Sequence, residues 1–207
     1  AVHAANTALY RLFEQMGVSP DGLAGFSGGD FAALDVAGVY GDLTRNKREV
    51  FMREGYLMLT RLDSREDIPT CAMIATLDAT KETVDALIAK HPGRISIAFF
   101  NSPRQLTLAI APEIVPEVVQ ELSDVGVKTV QVPISEPFNT PWCAKALPTI
   151  NQFLSHWVRH VPRIPLYSCA TGERLPARPG AILRQTTDQW TQPIQFTATI
   201  RKMYEDG

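Results

Sequence analysis

Between residues 70 and 134 the chain changes rhythm in a way that few folds accommodate. "CAMIATL", from Cys71, reads as a strand, and "TKETVDALIAK" reads as a helix. "HPG" is a turn, and "RISIAFF" and "QLTLAI" are two further strands. "PEIVPEVVQELSDVG" returns to helical spacing, and "VKTVQVPI" is a fourth strand. The order βαββαβ is that of a ferredoxin-like split unit.

The flanking segments follow another pattern. Ala5, Leu9, Leu12, Phe13 and Met16 fall on one helical face, and Gly17 follows as a stop. "AGFSGG" at 24–29 has the G-x-S-x-G spacing of a nucleophile elbow, with "GLAGF" as the strand entering Ser27. Gly28, Gly29 and Asp30 open a second helix, with Phe31 and Leu34 facing inward. Phe51, Gly55, Met58, Leu59 and Leu62 form a further helical stripe, ended by the polar break "DSREDIP". Thr140 and Pro141 suit an N-cap and first turn, and Leu147, Ile150, Leu154, Trp157 and Val161 form the apolar face that follows. "IPLYS" reads as a strand, and "WTQPIQFTATIRKMYEDG" as a turn leading into a last helix.

The expected fold is α/β. A hydrolase-like core with a parallel sheet is expected from 1–69 and 135–207, its N- and C-terminal parts missing. A ferredoxin-like subdomain is inserted at 70–134. The start at Ala1 and the end at "YEDG" suggest a piece of a longer polypeptide. A net charge of −2 argues for neither nucleic acid nor an anionic membrane as partner. Cys71, Cys143 and Cys169 lie far apart without C-x-x-C spacing. That fits a reducing, cytoplasmic compartment and neither a disulfide framework nor a zinc site. No apolar run is long enough to span a bilayer.

Elbow and inserted lobe together narrow the field more than either does alone. The chain resembles the acyltransferase domain of polyketide and fatty-acid synthases, similar to malonyl-CoA:acyl-carrier-protein transacylases. "VSPDGLAGFSGGDFAALDVAGV" matches the stretch around that family's G-H-S-x-G-E, and "FFNSPRQLTLAI" its Asn-x-Pro strand turn. "VPISEPFNTP" matches S-H-A-F-H-S-P. "IPLYSCATGERLP" and "WTQPIQFTATI" match the late Tyr-Ser-Asn-x-Thr-Gly and Trp-x-x-x-Pro-Val-x-Phe segments. The "PFNTPW" wording is nearest to polyunsaturated-fatty-acid and enediyne-type synthases. The family's N-terminal G-Q-G strand, which supplies one oxyanion-hole donor, and its C-terminal E-x-G-P strand lie outside the match.

The resemblance implies that Ser27 attacks an acyl thioester and that the Gly28 N–H stabilises the oxyanion, aided by the helix it begins. It implies acyl-CoA and a phosphopantetheinyl carrier protein as substrates, no permanently bound cofactor or metal, and neighbouring synthase domains as partners. Phe26 and Phe138 fall at acyl-binding positions. The departures are specific. The family's catalytic histidine falls on Asn139, whose amide has no basic lone pair near neutral pH. The histidine before the nucleophile is Phe26, and the asparagine of Tyr-Ser-Asn is Cys169, in a region whose backbone accepts from the family's histidine. Aligning "MREGYLML" on Leu57-Met58 puts Glu54 where the family's carboxylate-binding arginine stands and leaves Arg53 one residue early. Arg53 is a carboxylate clamp or half of a solvated pair. His3, His91, His156 and His160 read as exposed, and Asp30 as a carboxylate on a helical first turn. Cys143 reads as a small buried helix residue.

Three functions remain open. The first is an acyltransferase-fold domain impaired in transacylation, serving as a structural or carrier-docking element. The second is an active acyltransferase loading an uncharged acyl group through Ser27. The third, an α/β-hydrolase-type esterase or thioesterase, needs a late histidine, and none follows His160.

Overall fold

The computed structural model describes residues 2–64 and 67–207, so part of the expected polar break lies outside the described residues. The chain runs α1 (Val2–Gln15), β1 (Leu23–Ala24), α2 (Gly29–Val36), α3 (Arg45–Asp63), β2 (Ala72–Leu77), α4 (Lys81–Lys90), β3 (Ile95–Ser102) and β4 (Gln105–Ile110). It continues through α5 (Val115–Asp124), β5 (Lys128–Val132), α6 (Leu147–Trp157), β6 (Leu166–Tyr167), α7 (Pro179–Asp188) and α8 (Phe196–Glu205).

Strands β2 to β5 form an antiparallel sheet in the order β3-β4-β2-β5, as the βαββαβ rhythm requires. Strand alternation sends neighbouring side chains to opposite faces. On β2, Ile74 joins Leu106, Leu108 and Ile110 under Val84 and Leu87 of α4 and Val118 and Leu122 of α5. Met73, on the other face, joins Ala98, Phe99 and Ala109 against Cys169 and Ile194. The sheet is therefore packed on both sides, and its second face carries the contact with the rest of the chain. Thr80 caps α4 by accepting from the Thr83 N–H. The helical run expected from Pro112 divides into a 3-10 turn (Pro112–Ile114) and α5. Pro116 has no N–H to give and is tolerated only in the first turn of a helix, so α5 begins beside it.

The other strands, β1 and β6, pair in parallel, with Leu23 opposite Leu166 and Ala24 opposite Tyr167. Around them Leu34, Val39, Phe51, Met58, Ile150, Leu154, Leu166 and Ile182 form one buried cluster. Helix α7 contributes Ile182 to it, a helix that the sequence reading passed over. Val161 lies beyond the end of α6 and is exposed. Helix α1 inverts its expected orientation. His3 and Thr7 face inward, while Leu9, Leu12, Phe13 and Met16 are between 46% and 67% exposed. His3 is drawn in by Asp35 of α2, and no described residue covers the apolar side. Among the described residues no helix is long and apolar enough to cross a membrane.

Candidate active site

The turn from β1 into α2 presents Ser27 at φ 52°, left-handed backbone that a non-glycine residue adopts at a cost of about 1 kcal/mol or more. Close packing holds it there. A Cβ on Gly25 would lie 2.2 Å from the Asp30 Cα and 2.3 Å from its nitrogen, so only glycine lets the strand pass the first turn of α2. Asp30 N–H and Gly29 N–H close the turn onto the carbonyls of Ser27 and Phe26. Gly28 is the residue before α2, and its N–H has no partner among the described residues.

Ser27 and Gly28 open onto a cavity of about 410 Å³. Helix α3 forms one wall through Phe51, Met52, Gly55, Tyr56, Met58 and Leu59. Phe31, Phe138, Phe153 and Trp190 line the remainder, with Val2 and His3 from α1. Asn139 and Gln189 complete it beside the serine. Phe138 meets Trp190 edge to face at 5.4 Å, and Phe51 meets Phe153 at 5.5 Å.

Asn139 is 7% exposed and takes φ 63°, a conformation asparagine tolerates better than most residues. Its N–H donates to the Trp190 carbonyl at 2.9 Å, and its Nδ2 donates to the Gln189 carbonyl at 2.8 Å. The backbone acceptor beside this position is therefore Gln189, not the Cys169 segment. Gln189 Nε2 in turn donates to Asp30 Oδ2 at 2.9 Å. A polar chain thus runs from Asn139 through Gln189 to the first turn of α2. Burial pushes the Asp30 carboxyl up to about 6, against the Gln189 hydrogen bond that draws it down.

Several expected site residues lie elsewhere. Phe26 is outside the cavity, packed on Phe99 and Phe196 at 5.4 and 5.3 Å. Arg53 is exposed, and Glu54 accepts from Trp157 Nε1 at 2.9 Å. Neither lines the cavity, because at ~100° per residue the face carrying Gly55, Leu59 and Met52 turns both away. Cys143 and Cys169 are buried, and desolvation pushes each thiol up to about 11, which leaves them un-ionised at neutral pH.

His3 corrects the expectation of an exposed histidine. It is 8% exposed, stacks near Phe51, and places Nε2 3.1 Å from Asp35 Oδ2. The contact is a close electrostatic approach; among the described residues neither ring nitrogen has a hydrogen-bond partner, Ser27 included. Arg48 completes the cluster with a charge-assisted bond to Asp35. Burial alone would raise the Asp35 carboxyl, but His3 and Arg48 hold it below the ordinary carboxylate value. The polar pattern on α1 and α2 gave no hint of this pairing, since His3 and Asp35 are brought together only by helix packing. His91 is also largely covered, pairing with Glu121 at 2.8 Å. His91, Glu117 and Glu121 bring ligand-type atoms within 4.8 Å of one another, but Lys90 already meets Glu121 at 2.6 Å, so the group is a surface ion-pair network. His156 and His160 are exposed.

The arrangement can present a hydroxyl and an oxyanion donor to a carbonyl, and the only histidine among the described lining residues is His3, whose ring nitrogens are buried. The sequence profile described as the acyl transferase domain matches residues 1–207. Erythronolide synthase EryA3 of Saccharopolyspora erythraea is 30% identical over 200 residues, covering 97% of this chain and 6% of that protein. Polyketide synthase GfsA of Streptomyces halstedii is 28% identical over 212 residues, covering 100% of this chain and 3% of that protein. Among solved structures, the acyltransferase domain from the second module of the salinomycin polyketide synthase superposes with a TM-score of 0.80 at 26% identity, over 99% of this chain and 46% of that one. A malonyl-CoA:acyl carrier protein transacylase of Xanthomonas oryzae pv. oryzae gives 0.83 at 28% identity, over 99% of this chain and 64% of that one. The chain thus spans 46% to 64% of those solved structures and 3% to 6% of those curated relatives. With a matching profile over its whole length, a Ser27 elbow and the two-sheet architecture, the chain belongs to the acyl transferase domain family.

Proposed function

We propose that this chain is the acyltransferase domain of a polyketide- or fatty-acid-synthase-type polypeptide, impaired in transacylation and serving as a structural or carrier-protein-docking element. One observation carries the proposal: Asn139 lines the same cavity as Ser27, and its Nδ2 is committed to the Gln189 carbonyl. An amide cannot take the Ser27 proton. Loss of the histidine from such a pair lowers turnover by roughly a millionfold. His3 does not substitute for it, since its nitrogens are buried and make no hydrogen bond among the described residues.

In this reading residues 70–134 form the smaller lobe and 1–69 with 135–207 the larger one, in a cytoplasmic multidomain synthase. The partners are an acyl carrier protein and neighbouring domains. The second reading, slow acylation of Ser27 from acyl-CoA with transfer to a phosphopantetheinyl carrier, is favoured by the intact elbow. Ser27 keeps its left-handed backbone and Gly28 keeps an open N–H.

Mass spectrometry separates the two. The protein is incubated with acetyl-CoA and malonyl-CoA, and acyl mass on the Ser27 peptide is measured. The expected result is sub-stoichiometric labelling. Stoichiometric labelling that disappears in Ser27→Ala would overturn the impaired reading. In Asn139→His, the ring N–H can replace the Asn139 Nδ2 donor to the Gln189 carbonyl, freeing the other nitrogen for Ser27. Labelling at least about a hundredfold faster is expected, the lower range of general-base catalysis.

A further inference from the structure

The cavity beside Ser27 is divided in chemistry. Its polar groups are joined at one end, where Ser27 and Gly28 lie next to Asn139 and Gln189 and the Asp30–Gln189 bond ties the elbow to them. The other walls are Phe31, Phe51, Met58, Phe153 and Trp190. Among the described residues, no lysine or arginine lines the cavity. Among the described lining side chains only His3 can carry positive charge, and its nitrogens are buried, beside an Asp35 that Arg48 also holds. A carboxylate placed in this space would lose its water and find no cation among the described lining residues, which is among the costliest arrangements a protein interior can offer.

We infer that the cavity selects an uncharged, apolar acyl chain, with its thioester carbonyl at Ser27 and its alkyl end against the aromatic wall, and rejects acyl groups ending in a carboxylate. The assignment rests on Ser27 marking the thioester end, as in the proposed function. It does not need turnover, because chain selection is a binding property. The volume of about 410 Å³ lies within the usual range for buried small-molecule sites. Gly55 extends the space, since no side chain projects from the middle of the α3 wall; a Cβ there would meet Phe153 Cζ at 3.5 Å, an ordinary contact.

The test is calorimetric titration of Ser27→Ala with acetyl-, butyryl-, hexanoyl-, octanoyl- and malonyl-CoA. Ser27→Ala removes acylation, so the outcome is independent of whether Ser27 is a working nucleophile, which the labelling experiment decides separately. Affinity is expected to rise about fourfold per added methylene until the cavity fills. Malonyl-CoA is expected to bind no better than acetyl-CoA and at least about tenfold more weakly than butyryl-CoA. Malonyl-CoA binding more tightly than acetyl-CoA, or an affinity independent of chain length, overturns the inference. A second pair of variants locates the chain. Gly55→Ala fits without displacing Phe153, and Gly55→Leu fills the wall. Both should weaken octanoyl-CoA more than acetyl-CoA, the leucine by at least about tenfold more. Equal loss for both ligands, or none for octanoyl-CoA, places the chain elsewhere and refutes the assignment.

Discussion

Replacing Asp30 with Asn should stabilise the chain at high pH relative to low pH, and the size of the swing follows from one buried carboxyl. Asp30 is 5% exposed, and burial raises it from 3.8 to about 6. The native state therefore holds the proton more tightly than the unfolded chain does. Between about pH 4 and pH 6 the native state binds more protons, so stability falls as pH rises through that window. Above the window the ionised, buried carboxylate costs about 3 kcal/mol, two units at 1.36 kcal/mol each. Below it the cost is gone. Asp30→Asn keeps an oxygen to accept from Gln189 Nε2 and adds a buried amide N–H₂, which costs about 1 kcal/mol at every pH. The variant-minus-parent stability should thus swing by about 3 kcal/mol from about pH 4 to pH 8, in favour of the variant at the upper end. Urea unfolding at half-unit pH steps measures it. Asp35 does not mimic the effect, because its carboxyl is shifted the opposite way, and the stability it contributes is lost only as pH falls through still lower values. A variant-minus-parent difference that stays flat across the window would refute the reasoning.

Gly25→Ala should destabilise the chain by about 3 kcal/mol or more, since the added Cβ meets the Asp30 backbone at 2.2 Å, whereas Gly28→Ala, with nothing within 4 Å, should change stability by less than about 0.5 kcal/mol; thermal unfolding compares them. Arg48→Met should cost about 2 kcal/mol, below the loss for a fully buried pair because the Arg48 side chain is 25% exposed, and denaturant unfolding checks this. Asn139→His should accelerate Ser27 labelling, as set out above, with stability largely unchanged if the ring N–H takes over the bond to the Gln189 carbonyl.

The elements nearest the site were legible because their signals are local. Strand alternation from Cys71 to Ile110 exposes the two faces of the antiparallel sheet, and the G-F-S-G-G run anticipates a tight turn that only Gly25 permits. Helix α7 was missed because "PGAILRQTTD" buries few apolar side chains; Ile182 is its main anchor in the core. The α3 wall of the cavity was only partly legible for a different reason. Residue type alone sets Arg53 and Glu54 toward the site, but which face of α3 meets the cavity depends on how the helix is rotated against Phe153 and Phe31.

By itself, the sequence determined which chemistry was at hand: a serine after a glycine-bounded strand, an asparagine amide at 139, and a βαββαβ lobe between them. Those features are encoded in residue type and short-range spacing, which act before the chain is packed. Only the tertiary structure decided which groups meet. It joined Asn139 to Gln189 across 50 residues and Gln189 to Asp30 across 159, buried His3 against Asp35, and turned α3 so that its apolar face and not its charges borders the cavity. Such contacts arise from helix packing and desolvation, which act between segments that no short stretch of sequence contains together.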